Sequence, residues 1–385
     1  MNVPQNHADT VGFTREQTGH AIISVDCFPV RLPLRKPLVM ASSCLRDAPI
    51  LYVRIRSRNG AEGWGEAVSS LTNSGETLAG MVALVDDVVR PLLLGASVFE
   101  RSRIMSRLRA SIFANGGALA AVDMALLDLM GHVRGAPLVE LLGGALRQSV
   151  QPIWIVGGAG SAEADCQEAV ALHSQGARAF KLKVGIGSID NDVRTVGLLR
   201  EALGSDCLIS ADANMAWDVH GAIRFARAAA VHRLDFLEQP VVPDVARLAA
   251  VARASPVAIG ADESIHGSPD VLALAQAHAV GGVSLKSIKL GGVSPAVALA
   301  GLGDALALSI GLAMMMESSL ATAAMVHVAC AVPQIDWGLN LGNVFLAEDP
   351  VCEPLGCTDG MAHCPVGPGI GVSVDERRLM KFKVD

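Results

Sequence analysis

The chain has 385 residues, of which 51% are hydrophobic and 4% aromatic, and its formal net charge at pH 7 is −7. This length exceeds a usual single domain and suits a barrel of about 250 residues with an added domain of about 100 residues. An acidic chain without a run of lysine and arginine has no electrostatic footprint for DNA or RNA, so we expect no nucleic-acid partner.

The first twenty residues are polar and mixed in charge, and they lack the apolar core of a secretory signal. We therefore expect a cytoplasmic protein. The most apolar stretch, residues 305–316, is too short to span a bilayer, so we expect no membrane association.

The eight cysteines are scattered along the chain, and in a reducing compartment we expect free thiols. One group near the C-terminus could in principle hold zinc: Cys352, Cys357, His363 and Cys364. Because the group contains no CxxC pair, ordinary loop residues are the favoured interpretation.

The N-terminal part of the chain reads as an α+β unit. Residues 21–58 alternate in the manner of strands, Asn59-Gly60 predicts a hairpin turn, and residues 63–67 predict a further strand. Helical periodicity follows over residues 81–93, 100–108 and 118–133. The last of these is apolar on most faces, as a buried helix is.

After Gly144 the pattern changes to short apolar runs, each followed by an alanine-rich helical stretch, which indicates repeated βα units and a parallel sheet. The predicted strands are residues 152–156, 180–184, 208–212, 236–238, 258–262, 282–286, 312–316 and 337–341. Eight strands fit a closed barrel. A doubly wound open sheet is the alternative, but it requires a glycine-rich dinucleotide turn, of which residues 157–160 are only a weak version.

Charged residues occur at or just after the carboxyl ends of these predicted strands, 24 to 31 positions apart. They are Lys183, Asp212, Glu238, Asp262, Lys286 and Glu317. In a βα barrel these strand ends form one rim, and the rim carries the active site. A single such residue is as readily a helix cap or a solvated lysine, but six in register favour a functional set.

Three of the charged residues form a candidate metal site. Asp212, Glu238 and Asp262 follow consecutive strands, so their carboxylates would converge and repel one another unless a cation compensates them. Mg²⁺ prefers oxygen ligands, and Mn²⁺ is the alternative ion.

Lysines flank these carboxylates on both sides of the predicted rim. Lys181 and Lys183 are two positions apart and therefore share a strand face, and Lys286 lies beyond the third carboxylate. Amines close to one another and to a cation lose proton affinity, which allows one of them to act as a base. The predicted chemistry is removal of the proton next to a carboxylate, with the metal stabilising the resulting enediolate.

The sequence resembles the enolase superfamily, in the subgroup of the muconate lactonizing enzymes. The pairing of a lysine base with Mg²⁺ is known for that superfamily. The resemblance extends from about residue 21 to the end. It is carried by Lys181-Leu182-Lys183, Asp212-Ala213-Asn214, Glu238-Gln239-Pro240, Asp262-Glu263-Ser264 and Lys286 through Gly291-Gly292.

The resemblance implies an α/β fold: a modified (β/α)7β TIM-type barrel with an α+β N-terminal capping domain that the C-terminal segment completes. The implied boundaries are a polar extension at 1–20, the cap at 21–145, the barrel at 146–350 and the returning segment at 351–385. It also implies a homo-oligomer.

The resemblance implies roles for individual residues. The three carboxylates would bind the metal, Lys183 would be the base on one face of the substrate and Lys286 on the other, and Lys181 would lower the pKa of Lys183. Three further residues would form hydrogen bonds around the metal ligands: Asn214, Glu263 and Glu317.

Substrate specificity in this family depends on two cap loops, here residues 34–47 and 68–76, and on the end of the eighth strand. We expect substrate contacts from Met40, Ser42, Ser43 and Asn340. The family's cycloisomerases carry a glutamate where this sequence has Asn340, and the acidic pair of its dipeptide epimerases is also missing. Hydroxyl groups dominate the cap loops, which predicts a small, polar carboxylate substrate.

Three functions remain open from the sequence. The leading one is racemisation, epimerisation or cycloisomerisation of a carboxylate, because lysines on both faces can remove and return a proton. The second is dehydration of a hydroxy acid or a hydroxyproline-like amino acid. The third, from another class, is a non-catalytic metal-binding scaffold, against which both lysines argue because binding of Mg²⁺ needs only the carboxylates.

Overall fold

The computed structural model describes residues 19–40, 43–158 and 161–384. An antiparallel sheet begins the fold, with β1 (Ile22–Met40), β2 (Ser43–Ser57) and β3 (Glu62–Val68) in that order. The turn between β2 and β3 contains Gly60 with a φ of 88°, a left-handed conformation that favours glycine. The predicted strands and the predicted turn are thus present.

Helices cover one side of this sheet. They are α1 (Leu78–Leu84), α2 (Arg90–Leu93), α3 (Arg101–Ser111), α4 (Gly116–Arg134) and α5 (Leu138–Leu141). A π-helical turn, Val85–Val89, joins the first two. The side of β3 that faces α4 is very close to the helix, because a Cβ at Gly65 would lie 2.1 Å from the carbonyl oxygen of Ala121.

Helix α4 is long and apolar enough to cross a membrane by length and composition, but 78% of its most apolar window is buried inside the protein. Its alanines and leucines pack in the core that the cap shares with the barrel. The helix that the sequence predicts to be buried on most faces is therefore a core helix.

The remaining strands form the barrel and a small C-terminal sheet. They are β4 (Ser149–Val150), β5 (Ile153–Val156), β6 (Ala179–Lys183), β7 (Leu208–Asp212), β8 (Phe236–Glu238), β9 (Ala258–Ala261), β10 (Gly282–Leu285), β11 (Ser309–Leu312), β12 (Cys357–Thr358) and β13 (Met361–His363). Strands β5 to β11 form a parallel sheet in sequence order. Each strand is followed by a helix, so their carboxyl ends meet at one rim.

The outer helices of the barrel are α6 (Ala162–Ser174), α7 (Ile189–Leu203), α8 (Val219–Ala230), α9 (Val245–Ala254), α10 (Ser268–Gln276), α11 (Ser287–Leu290), α12 (Val293–Ala305) and α13 (Ser319–Ala331). A short helix, α14 (Glu376–Leu379), lies near the C-terminus. Several begin at a side-chain cap, as where Ser188 accepts a hydrogen bond from the amide of Asn191.

The barrel closes through a single residue. Leu339 forms isolated bridges with Pro152 on one side and Leu312 on the other. We predicted strands at residues 312–316 and 337–341. The first prediction is misplaced, because β11 ends at Leu312, where its pairing partner β10 ends at Leu285. In place of the second predicted strand, the structure has only the isolated bridges at Leu339. The fold is nevertheless the modified barrel with a cap that the sequence predicts.

The C-terminal segment connects the barrel with the cap. Strand β13 pairs with β12 and β4, and Lys383 forms a bridge with Val30 of β1. Leu34 of β1 forms a bridge with Leu346, close to the barrel rim. These pairings fix the cap over the barrel.

A buried glutamate joins the cap to the barrel. Glu66 of β3 accepts hydrogen bonds from the Ser318 hydroxyl (2.6 Å) and from the Ala321 amide (2.8 Å) at the start of α13. Burial raises the pKa of Glu66 from its ordinary value of 4.5 to about 7, although both hydrogen bonds oppose the shift.

This shift gives a pH-dependent stability. Between about pH 4.5 and pH 7 the unfolded chain loses the Glu66 proton while the folded protein keeps it, so the free energy of unfolding falls as pH rises. Glu66→Gln removes this dependence and keeps an oxygen acceptor. We expect the variant to gain stability relative to the natural protein from pH 5 to pH 8, by about 3 kcal/mol at most, in urea unfolding. Glu140→Gln, at an exposed position, is the control, and an equal difference at both pH values would contradict the assignment.

Candidate active site

The three carboxylates predicted to bind a metal meet at the rim of the barrel. Asp212 ends β7, Glu238 ends β8, and Asp262 directly follows β9. One carboxylate oxygen of each lies within 4.8 Å of the others. In the described part of the chain, this is the only cluster of three or more histidine, cysteine and acidic residues with that proximity.

The donor set fits a hard divalent cation. All three residues are at least 98% buried, and uncompensated carboxylates in such a position would repel one another. A set of oxygen ligands suits Mg²⁺ and Mn²⁺. The four C-terminal residues weighed for zinc do not form such a cluster.

Lysines contact each of the carboxylates. Lys181 donates to Glu238, Lys183 to Asp212 and Lys286 to Asp262, and each of these hydrogen bonds is 2.6 Å long. Lys181 and Lys183 belong to β6, and Lys286 directly follows β10, so the amines come from strands on either side of β7, β8 and β9. This is the arrangement that the alternation and spacing predict.

Asn214 connects one lysine with a further carboxylate. Its side chain accepts a hydrogen bond from Lys183 at 2.8 Å and donates one to Glu263 at 2.9 Å. Its backbone amide donates to a carboxylate oxygen of Asp212 at 2.9 Å. Its φ of 41° lies in the left-handed region, which asparagine tolerates better than most residues. The other oxygen of Glu263 has no partner among the described residues, and burial raises the pKa of this carboxyl to about 7.

Two contacts to the carboxylates were missed by the sequence analysis. Lys289, fully buried in α11, donates to Asp262 at both its carbonyl oxygen and a carboxylate oxygen. Ser284 of β10 donates to Glu238 at 2.5 Å. The spacing from Lys286 could have indicated both residues. Ser284 is two residues before Lys286 on the same strand face, and Lys289 is one helical turn after Lys286.

The pKa values of the site reflect these contacts. Burial by itself lowers the pKa of Lys286, but Asp262 and Glu263 outweigh it and hold the pKa above its ordinary value. The same balance, with Glu238 and Asp212, raises the pKa of Lys181. At Lys181 and Lys286, the carboxylates of the site therefore raise the pKa and oppose the lowered proton affinity expected of amines that share a site with a cation.

A small cavity of about 40 Å³ lies over the lysines. Lys183 and Lys286 line it from the barrel, and Thr72 and Asn73 line it from the cap. The side-chain oxygen of Asn73 accepts a hydrogen bond from Lys286 at 3.4 Å. Its backbone carbonyl oxygen lies 3.3 Å from the ring Nε2 of His266. Asn214 and Glu263 are also in the lining, and the rest of it is apolar: Leu38, Ile155, Met215, Met314, Met315, Met316 and Phe345.

The remaining predicted site residues lie elsewhere or outside the described part. Ser42 and the side chains of Met40 and Ser43 lie outside the described residues. Asn340 is not in the cavity lining, because its amide exchanges two hydrogen bonds with the backbone of Met314. Glu317 is buried with one oxygen unpaired among the described residues, and burial raises its pKa to about 7.

Comparisons with known proteins agree with this geometry. Residues 22–143 match the family model of the mandelate racemase / muconate lactonizing enzyme N-terminal domain, and residues 164–378 match the enolase C-terminal domain-like model. Muconate cycloisomerase 1 of Rhodococcus opacus is 32% identical over 93% of this chain and 97% of its own. N-succinyl-L-Arg/Lys racemase of Bacillus cereus is 28% identical over 94% of this chain and 98% of its own.

The fold is also shared with solved structures. The muconate lactonizing enzyme from Pseudomonas fluorescens, complexed with muconolactone, has a TM-score of 0.91 and 32% identity over 95% of this chain and 100% of its own. The relatives of the present chain by sequence include cycloisomerases and a racemase, which are isomerases. The chain therefore belongs to the mandelate racemase / muconate lactonizing enzyme family and is an enzyme of the enolase superfamily.

Proposed function

We propose that the protein moves the proton on the carbon next to the carboxylate of a small substrate through an enediolate. Removal and return of the proton gives racemisation or epimerisation, whereas in cycloisomerisation a C–O bond forms to give the enediolate of the lactone, which is then protonated, and the reverse reaction removes that proton and breaks the bond. The observation that carries the proposal is the placement of Lys183 and Lys286 on the two sides of one carboxylate cluster. A binding scaffold would need the carboxylates alone, whereas two amines at one reacting carbon provide both a base and an acid.

Asp212, Glu238 and Asp262 would hold a Mg²⁺ ion. When bound, such an ion stabilises the negative charge that develops on the substrate carboxylate. The chain's own residues then do the proton chemistry: the Nζ atom of Lys183 or Lys286 accepts the proton, and the other amine delivers one. Asn214 holds Lys183 in place, and Asn73 of the cap contacts Lys286.

The cavity supports a compact substrate. Thr72 and Asn73 of the cap provide polar groups, while Leu38 of the cap and the methionines of the barrel contribute apolar surface. We therefore propose a small carboxylate with polar groups toward Thr72 and Asn73.

Incubation in D₂O tests the proposal. With Mg²⁺ and a panel of small acids, amino acids and lactones, we expect deuterium at the carbon next to the carboxylate of at least one compound, without loss of water, as measured by mass spectrometry and NMR. The control is the Lys183→Met/Lys286→Met double variant, which should incorporate none.

Two outcomes would contradict this proposal. Release of water with formation of a keto acid or an enamine product would identify a dehydratase. Absence of exchange across the panel, in protein shown to be folded and to bind Mg²⁺, would remove the proton-transfer assignment for these substrate classes.

A further inference from the structure

The two lysines that face the active-site cavity are held by different parts of the protein. Lys183 donates to Asn214 at 2.8 Å and to the carboxylate that ends β7 at 2.6 Å, and both acceptors belong to the barrel. Lys286 donates to Asp262 at 2.6 Å, but its other oxygen acceptor is Asn73, at 3.4 Å, in the cap. Among the described residues, Lys286 therefore has an acceptor in the cap and Lys183 has none.

The side chain of Asn73 is oriented with its oxygen toward Lys286. Its Nδ2 atom donates to the hydroxyl of Ser70 at 3.0 Å and to that of Thr72 at 3.3 Å, and it lies 3.6 Å from the sulfur of Met315. An ammonium group only donates hydrogen bonds, so the amide oxygen is the atom that can face it. Asn73 is 6% exposed, so these contacts are made away from bulk solvent.

Asn73 lies in a short loop that is closed by its own hydrogen bonds, residues 69–76, which we call the Asn73 loop. The backbone amides of Ser74 and Gly75 both donate to the carbonyl oxygen of Ser70 at 3.0 Å. The hydroxyl of the first residue of the loop donates to the carbonyl oxygen of the last at 2.9 Å. These bonds give the loop one compact shape, so the position of Asn73 depends on where the loop is anchored.

Glu76 anchors the Asn73 loop to helix α4. Its buried carboxylate accepts hydrogen bonds from the backbone amides of Gly117, at 2.6 Å, and Ala118, at 3.0 Å. Amides in the first turn of a helix have no acceptor within the helix, and the helix dipole favours a carboxylate there. The fit is close, because a Cβ at Gly117 would lie 2.6 Å from a carboxylate oxygen of Glu76.

We propose that Asn73 is a positioning residue for Lys286, and that the anchored Asn73 loop controls the proton transfer at Lys286 and not the one at Lys183. The inference rests on the proposed function, because it assigns Asn73 a part in that proton chemistry. Asn73 moves no proton itself. Its oxygen holds the Nζ atom of Lys286 at the cavity, whereas Asn214 holds Lys183 from within the barrel.

Deuterium exchange in proteins that keep one of the two lysines tests the proposal. In Lys183→Met the exchange proceeds through Lys286, and in Lys286→Met it proceeds through Lys183. With a compound that exchanges in the D₂O panel, adding Asn73→Leu should slow exchange by about tenfold to a hundredfold in the Lys183→Met background, as expected for an amine displaced by about 1 Å. In the Lys286→Met background the effect should stay within about twofold, as for independent sites.

A second variant and a matched control accompany this experiment. Glu76→Gln disturbs the anchor without touching Lys286, because an amide can accept from one of the two α4 amides but not from both. It should slow exchange in the same background as Asn73→Leu, with a smaller effect. Asn191→Leu, the same substitution at an exposed position of α7, should change neither background.

Crystal structures of the natural protein and of the Asn73→Leu variant, both with Mg²⁺, test the proposal without turnover. We expect the Nζ atom of Lys286 to move by about 1 Å or more while Lys183 keeps its place. An unmoved Lys286 would overturn the proposal. Equal slowing of exchange in the two lysine backgrounds would overturn it as well, and so would unchanged exchange through Lys286. Absence of exchange in the natural protein would contradict the proposed function instead, and the crystal structures would still decide the role of Asn73.

Discussion

Replacement of Lys286 with methionine is expected to lower turnover by about 10³-fold or more, because proton transfer by a positioned side chain contributes about 10²- to 10⁴-fold and both half-reactions need an amine. Methionine fills most of the buried space of the lysine side chain, which is one atom longer, but cannot carry a proton. Asp262 retains Lys289 as a partner in the variant, so its carboxylate is not left without a counter-charge. Steady-state assays with the substrate found by deuterium exchange measure the effect.

If the reaction is a racemisation, deuterium exchange of each enantiomer tests the two lysines separately. In D₂O the Lys286→Met variant should still exchange the α-proton of one enantiomer through Lys183, and Lys183→Met should exchange only the other. Lys381→Met, at an exposed position near the C-terminus, is the matched control. Near-normal turnover in either active-site variant, with unchanged metal binding, would defeat the two-base assignment.

Asp212→Asn is expected to weaken Mg²⁺ binding by about a hundredfold or more. Loss of a residue that merely orients a ligand costs about 10- to 100-fold in metal affinity, and loss of a charged ligand itself should cost no less. The amide keeps the size of the side chain and one oxygen acceptor, so the hydrogen bond from the Asn214 amide can persist. Calorimetric titration with Mg²⁺, or with Mn²⁺ followed by electron paramagnetic resonance, measures the change.

Asp206→Asn provides the control for metal binding, because Asp206 is exposed and precedes the same strand. It should bind Mg²⁺ as the natural protein does. An unchanged titration in the Asp212→Asn variant would remove Asp212 from the ligand set, and with it the argument that three adjoining strands share one ion.

Strict periodicity made much of the rim predictable. Residues such as Asp212 and Glu238 end their strands, and strands in a parallel sheet end at a common edge, so sequence spacing translates directly into proximity. The cap strands were predictable for a similar reason, since alternation over β1 and β2 and a glycine turn specify a hairpin. Here local pattern and tertiary structure agree.

The sequence did not predict contacts that depend on the exact register between strands or on the direction in which a helix turns a side chain. Residues 313–316 are as apolar as a strand, yet they extend past the end of β10 and have no strand to pair with. Lys289 looks like a solvated lysine until α11 is known to begin at Ser287 and to turn the amine inward. Asn340 could be placed near the rim, but only the structure shows that its amide is engaged with Met314.

The closure at Leu339 has a consequence for how the enzyme can change. Past this residue the backbone amide of Asn340 donates to Leu312 at 3.1 Å, its side chain bonds the backbone of Met314, and Leu34 forms a bridge with Leu346. Among the described residues, none between Leu339 and Leu346 belongs to a strand. Insertions or substitutions between these two points can therefore reshape the wall that Phe345 forms without disturbing the hydrogen-bonded ring. Under the proposed function, the amines that move the proton lie in β6 and directly after β10, so the wall at Phe345 can change while these amines keep their positions.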